Sequence, residues 1–138
     1  MSQPSDIQKV CPIVMRGDRR NRSVLAFVHP LAGKQLVKGT IEAGETPHNA
    51  AKRELYEESG LKTSKAMRFL GVQPIGLERI PWHFFSYQAD ALPKTWHHQT
   101  LDDHGHVFSF FWHPLSAKLD GGWHQDFHEA MDFVGRHI

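Results

Sequence analysis

The stretch from Gly39 to Leu61, GTIEAGETPHNAAKRELYEESGL, constrains this chain more than any other. Its centre reads as a helix over Pro47 to Ser59, with signals at both ends. Thr46 suits the N-cap, Pro47 the first helical position, and Gly60 the residue just past the end. Glu54, Glu57 and Glu58 stand at i, i+3 and i+4, which puts three carboxylates on one helix face. Like charges at that spacing repel by a few tenths of a kcal/mol per pair. Glu57 and Glu58 also fall in the last turn, where the negative end of the helix dipole disfavours anions. A solvated acidic face is the plain reading of such a run. A divalent cation reverses both penalties, because hard cations want clustered carboxylate oxygens.

The surroundings decide between the two readings. The segment follows G-x5-E-x7-R-E-L-x-E-E-x-G-L, met by Gly39, Glu45, Arg53, Glu54, Leu55, Glu57, Glu58, Gly60 and Leu61. This pattern resembles the Nudix box, the signature of the Nudix hydrolases, with no specified position missing. The resemblance implies an α/β chain with the Nudix fold, an α/β/α sandwich around a mixed β-sheet. It also implies hydrolysis of a diphosphate bond in a nucleoside diphosphate linked to some moiety X, with Mg²⁺ or Mn²⁺ as cofactor. It makes Glu54, Glu57 and Glu58 the expected metal ligands, joined by a backbone carbonyl at Lys38 or Gly39. Arg53, four residues before Glu57 and eight after Glu45, is expected to orient the acidic face rather than contact phosphate. Many relatives add an acidic ligand or general base from a downstream loop. Here that loop offers Asp102 as a metal ligand and Asp103 as a base, with Glu54 the rival base.

Composition bounds the rest. The 138 residues, with 40% hydrophobic and 22% charged, suit one ordinary globular domain spanning 1–138. A net charge of +1 argues against nucleic-acid binding driven by bulk charge, so the expected partner is a small-molecule nucleotide. Cys11 is the sole cysteine, so no internal disulfide can form, and it sits in an apolar run as an inert thiol. No apolar stretch approaches the ~20 residues of a membrane span. The polar start, MSQPSDIQK, lacks a secretory signal. A cytoplasmic protein is the expectation, with monomer or homodimer left open.

Along the chain, Ile7 to Met15 reads as a strand interrupted by Pro12, which suggests an edge or a bulge. Ser23 to Val28, Ala66 to Val72 and Trp82 to Ala89 read as further strands, and Val107 to Trp112 as a central one. Ala91 to Gly105 shows no periodicity and reads as a long loop. A final helix is expected over His124 to Arg136 from Phe127, Ala130, Met131 and Val134 at i, i+3, i+4 and i+7. His97-His98 and His104-x-His106 lack the partners and spacing of a zinc site.

The box says nothing about X. Lys38 beside Gly39 makes the opening KGTIEAGE similar to that of diadenosine tetraphosphate hydrolases, and a lysine beside a metal suits extra phosphates. That tilts the expectation towards nucleoside triphosphates or dinucleoside polyphosphates, with ADP-ribose or nucleotide sugars as the alternative. Trp82 and Phe84, with Phe85 and Trp96, are candidates to stack a base, set against ordinary core packing. A Nudix module that binds nucleotides without cleaving them, or an isoprenoid diphosphate isomerase using a cysteine, are readings from other classes.

Overall fold

The computed structural model describes residues 6–100 and 105–138. In chain order it contains strands β1 (Lys9–Arg16), β2 (Ser23–His29), β3 (Gly33–Gln35) and β4 (Gly39–Thr40), then helix α1 (Pro47–Ser59). Strands β5 (Arg68–Ile75), β6 (Ile80–Gln88), β7 (Trp96–Gln99) and β8 (Val107–Pro114) follow, and helix α2 (Gln125–His137) ends the chain.

The strands form one mixed sheet in the order β5-β6-β1-β2-β8-β7, with β3 joined to β2 and β4 to β1. Among the described strands only β1 and β6 pair in parallel. Side chains alternate across the sheet, as a period of two requires. Cys11, Ile13, Met15, Val24 and Ala26 face one way, into a core completed by Phe127, Ala130, Met131, Phe133 and Val134 of α2. Val14, Leu25 and Phe27 face the other way with Leu55 of α1, and Val10 packs with Ala50 and Ala51. Both faces of β1 and β2 are therefore buried, which is why their sequences are nearly unbroken apolar runs. The result is an α/β/α sandwich.

Pro12 does not mark an edge. β1 lies in the middle of the sheet, yet its pairing with β4 covers Lys9 and Val10 and its pairing with β2 covers Met15 and Arg16. Pro12 falls in the gap between these two patches. The carbonyl of Met15 accepts from Ala89 just past β6, so Cys11, Ile13 and Met15 address β6 while Pro12 addresses the gap. A missing N–H costs no ladder bond there. The segment between β3 and β4 fills this opening: Leu36 enters the α2-side core and Val37 the α1-side core, at 0% and 1% exposure.

The presumed long loop contains a strand. β7 pairs antiparallel with β8 from Trp96↔Phe110 to Gln99↔Val107. Trp96, His98 and Thr100 turn inwards while His97 and Gln99 stay exposed. Its alternation is real, but histidine in place of an aliphatic residue hides it from an apolar–polar reading. At α2 the first helical residue is Gln125, and His124 is the N-cap, with Nδ1 accepting from the Asp126 amide at 3.1 Å.

Helix α1 has the bounds its end signals imply. Thr46 Oγ1 accepts from the Asn49 amide at 3.1 Å. Gly60 adopts φ 81° and donates its N–H to the Tyr56 carbonyl. A Cβ at Gly60 would also lie 3.0 Å from His98 Nδ1. Gly60→Ala is therefore expected to lower the unfolding free energy by about 1–2 kcal/mol from left-handed strain, plus the shift of His98. Urea denaturation measures it, and an unchanged midpoint would refute this account of the helix end.

Candidate active site

Arg53 organises the site. Its Nε and Nη2 donate to the two carboxylate oxygens of Glu45 at 2.7 and 2.9 Å, a fork-to-fork pair. Nη1 donates to Glu54 Oε1 at 2.8 Å and Glu57 Oε2 at 3.2 Å, and lies 3.3 Å from Glu42 Oε1. Nη2 also donates to the Thr40 carbonyl at 3.0 Å. The guanidinium thereby ties the turn before α1, the strand β4 and the acidic face of α1 into one unit. The side chain of Glu42 is 65% exposed, so water screens its pairing, whereas those of Glu45 and Glu54 are 15% and 12% exposed and carry the hold. The Arg53 hydrogen bond keeps the Glu45 carboxyl below the usual carboxylate range, and Glu45 in turn raises Arg53 further above its already high value.

Four carboxylates surround this one cation, leaving a surplus of negative charge on the α1 face. Glu58, half-buried, adds another and lies within electrostatic reach of Cys11 on β1, as does Lys38. Among the described residues no three histidine, cysteine or acidic side chains, Glu54, Glu57 and Glu58 included, come together as a ready-made metal-binding group. A closed cage is not what Mg²⁺ needs, since it binds through one or two carboxylates and fills the rest of its octahedron with water and phosphate oxygens. The donor set fits such an ion: hard oxygens on one helix face, with Arg53 engaging Oε1 of Glu54 and Oε2 of Glu57.

Gly39 meets this cluster for a steric reason. Its φ is not among the left-handed ones, but a Cβ there would overlap the Glu54 carboxylate. The glycine lets β4 approach α1 closely enough for Arg53 to reach Thr40.

Two residues outside the box motif, His98 and Trp96, and one at an unspecified position within it, Ser59, hold the last turn of α1. His98 Nε2 donates to the Glu57 carbonyl at 3.1 Å, and Trp96 Nε1 to the Ser59 carbonyl at 3.1 Å. Ser59 Oγ donates back to the Leu55 carbonyl. Strand β7 thus satisfies carbonyls that a helix end leaves without intrahelical partners. The run Trp96-His97-His98-Gln99 carried no signal of this in the sequence.

Other expected residues lie elsewhere. Trp82 and Phe84 are 1% and 0% exposed, so neither can stack a base. Trp82 meets Phe127 edge-on at 6.0 Å and Phe84 stacks on Phe133 at 4.6 Å, both inside the α2-side core. Alternation on β6 places them on the face that α2 covers. Phe85 is buried on the opposite face, and Trp96 stacks on Phe110 with centroids 5.0 Å apart. Cys11 is fully buried and its thiol is pushed up by burial, which removes it as an acid–base group for an isomerase. Lys38 is half-buried beside Gly39. Asp102 and Asp103, with His104, lie outside the described residues.

Comparison with known proteins bears on the family and the fold. The family model described as the NUDIX domain matches residues 9–131. An RNA pyrophosphohydrolase from Roseobacter denitrificans is 32% identical over 83 residues, which make 60% of this chain and 43% of that protein. The chain thus spans less than half the length of that relative. Among solved structures, the NUDIX domain of Shewanella oneidensis NrtR, complexed with ADP ribose, superposes with a TM-score of 0.68 at 13% identity, covering 98% of this chain and 92% of that one. A C. elegans Ap4A hydrolase binary complex gives a TM-score of 0.64 at 12% identity, covering 94% and 96%. At these identities the structural likeness is one of fold.

Two substitutions test the geometry. Arg53→Lys keeps the charge but loses the fork to Glu45 and the link to Thr40, with an expected loss of about 1–3 kcal/mol in urea denaturation. Gly39→Ala is expected to destabilise, and Gly39→Ala combined with Glu54→Ala to recover part of that loss in a double-mutant cycle. Strict additivity would show that the two residues do not collide.

Proposed function

From a chain that belongs to the Nudix family and keeps every specified residue of its box, we propose a Mg²⁺-dependent pyrophosphohydrolase that cuts a diphosphate bond in a nucleoside diphosphate linked to X. The observation that carries this is the surplus of negative charge left on α1 after Arg53 has neutralised what one guanidinium can. A protein selected for stability alone would place cations in the last turn of α1, and that turn has none.

In this reading Glu54, Glu57 and Glu58, with the backbone at Gly39, hold the metal, and Mn²⁺ can replace Mg²⁺. When bound, the ion offsets charge on the diphosphate oxygens and lowers the pKa of the attacking water. The chain's own residues position and orient. Arg53 fixes Glu54 and Glu57 relative to β4, so the carboxylates face the substrate without a reorganisation step. His98 and Trp96 hold the carbonyl end of the same helix. Glu54, buried and within reach of β4, is the general base supported by the described residues, with Asp103 its rival and Asp102 a further metal ligand. No covalent intermediate is needed, since phosphoryl transfer rests mainly on positioning and charge stabilisation.

Lys38, next to the metal-binding backbone, favours substrates with more phosphates than two: nucleoside triphosphates or dinucleoside polyphosphates. An RNA 5′ end belongs to the same chemical class, and ADP-ribose or a nucleotide sugar is the second reading, favoured by the fold shared with a domain complexed with ADP ribose. A panel of these substrates, read by product chromatography in Mg²⁺, separates them.

Glu57→Gln is expected to lower turnover about a hundredfold or more, the several kcal/mol that metal stabilisation supplies. Circular dichroism should remain that of the wild type. Full turnover in the Glu57→Gln/Glu58→Gln double variant would remove the mechanism. Binding of nucleotide with no product at any metal concentration would point instead to a non-catalytic module.

A further inference from the structure

The end of the sheet furthest from β4 collects cations. The strand registers bring the end of β1, the start of β2, the end of β6 and the start of β5 to one side, through Arg16↔Ser23, Met15↔Gln88 and Arg68↔Ser86. Arg16, Arg19, Arg20, Arg22 and Arg68 lie at this end. Lys65 joins them, lining a cavity of about 250 Å³ with Arg68, Tyr87 and Gln88. The eight residues of β1 separate this end from β4 by roughly 23 Å. The chain's net charge of +1 conceals the segregation.

These six cations are not neutralised as others in this protein are. Among the described residues none of them forms an ion pair, whereas Lys34, Arg53, Arg79 and Arg136 all do. Asp18 and Asp90, which lie among them, are engaged by backbone amides instead. Asp18 Oδ1 accepts from the Arg20 and Asn21 amides at 2.9 and 3.2 Å, which shapes the turn between β1 and β2. Asp90 Oδ1 accepts from the Gly17 amide at 3.0 Å and from Gln88 Nε2 at 2.7 Å. The two acids thus fix the turn and leave Arg19 and Arg20 exposed to solvent. Arg16 lies 4.6 Å over the Trp112 ring, a stacking that orients its guanidinium without neutralising it.

Five of the six are arginines, whose planar fork matches a phosphate group. From β5 to β2 the row crosses three strand spacings, roughly 14 Å, which suits a chain of phosphates better than a single one. Phe69, next to Arg68 on the edge strand β5, is 56% exposed and offers a face on which an unpaired base can stack. The turn from Gly17 to Arg22 carries no apolar side chain to enter a lipid surface. We infer that this end of the sheet binds the phosphate backbone of a single-stranded nucleic acid, with Phe69 stacking one of its bases. The surface is separate from the carboxylates and does not rest on the pyrophosphohydrolase reading.

Fluorescence anisotropy of a short 3′-labelled oligouridylate with a 5′ hydroxyl, in metal-free buffer, tests this with no terminal phosphate for the carboxylate site to hold. Binding is expected, with the logarithm of the association constant falling against the logarithm of salt at a slope of about −3, that of about four phosphate contacts. An oligothymidylate of the same length distinguishes RNA from DNA, and binding of either upholds the surface. Arg19→Gln/Arg20→Gln should weaken binding about tenfold or more at low salt and make the slope shallower by about 1.4, with nucleotide turnover in Mg²⁺ unchanged. Phe69→Ala should weaken binding about fivefold and leave the slope as it is. Should the double arginine variant fail to fold, Lys65→Gln/Arg68→Gln carries the same comparison. No binding at low salt, or binding that any of these variants leaves intact, overturns the inference. Polyglutamate or phosphatidylserine vesicles bound as tightly as the oligonucleotides overturn it in favour of an acidic protein or a membrane.

Discussion

One guanidinium among four carboxylates is the interaction that arranges this face of the molecule. Arg53 alone cannot balance Glu42, Glu45, Glu54 and Glu57, and net negative charge remains beside α1. Full neutralisation would give a stable surface with no appetite for a cation. Removal of the guanidinium would leave like charges free to spread into solvent. A single multidentate cation sits between these limits, because its planar fork fixes carboxylate positions while leaving net charge for a ligand to offset. The site is therefore held at some cost to helix stability, which the packing of Ala50, Ala51 and Leu55 against the sheet outweighs.

The same economy of position extends to the backbone. The acidic turn of α1 is pinned from two directions. β4 contributes the Thr40 carbonyl to Arg53 on one side, and β7 contributes the His98 and Trp96 donors on the other. Both strands are short, two and four residues, and neither contributes much to either core. One holds the middle of the helix through Arg53, and the other its last turn.

Much of this was legible in the sequence, for reasons that can be named. Helix α1 is bounded by residues whose preferences are local, Thr46, Pro47 and Gly60, so its ends needed no tertiary information. The acidic face followed from helical spacing alone. What escaped depended on contacts distant in sequence. The strand β7 was hidden by its histidines, and its role at α1 spans about forty residues of chain. Trp82 and Phe84 alternate correctly for a strand, but alternation does not say which face another helix will cover. Gly39 is a fixed position of the box, but local sequence does not say that the demand on it is space for the Glu54 carboxylate. Glu42, which belongs to no motif position, joins Arg53 only because the turn folds back to it.

The segment that leads into β4 has a consequence for how this protein can vary. Leu36 and Val37 plug opposite cores through the opening in the sheet, and Gly39 must then arrive against Glu54. Adding or deleting one residue here would send each plug to the wrong side and carry the glycine off its contact. Chain length between Leu36 and Gly39 is thus as tightly specified as any side chain. A side chain such as that of Lys38 can be exchanged without disturbing this arrangement, whereas the segment cannot be lengthened or shortened.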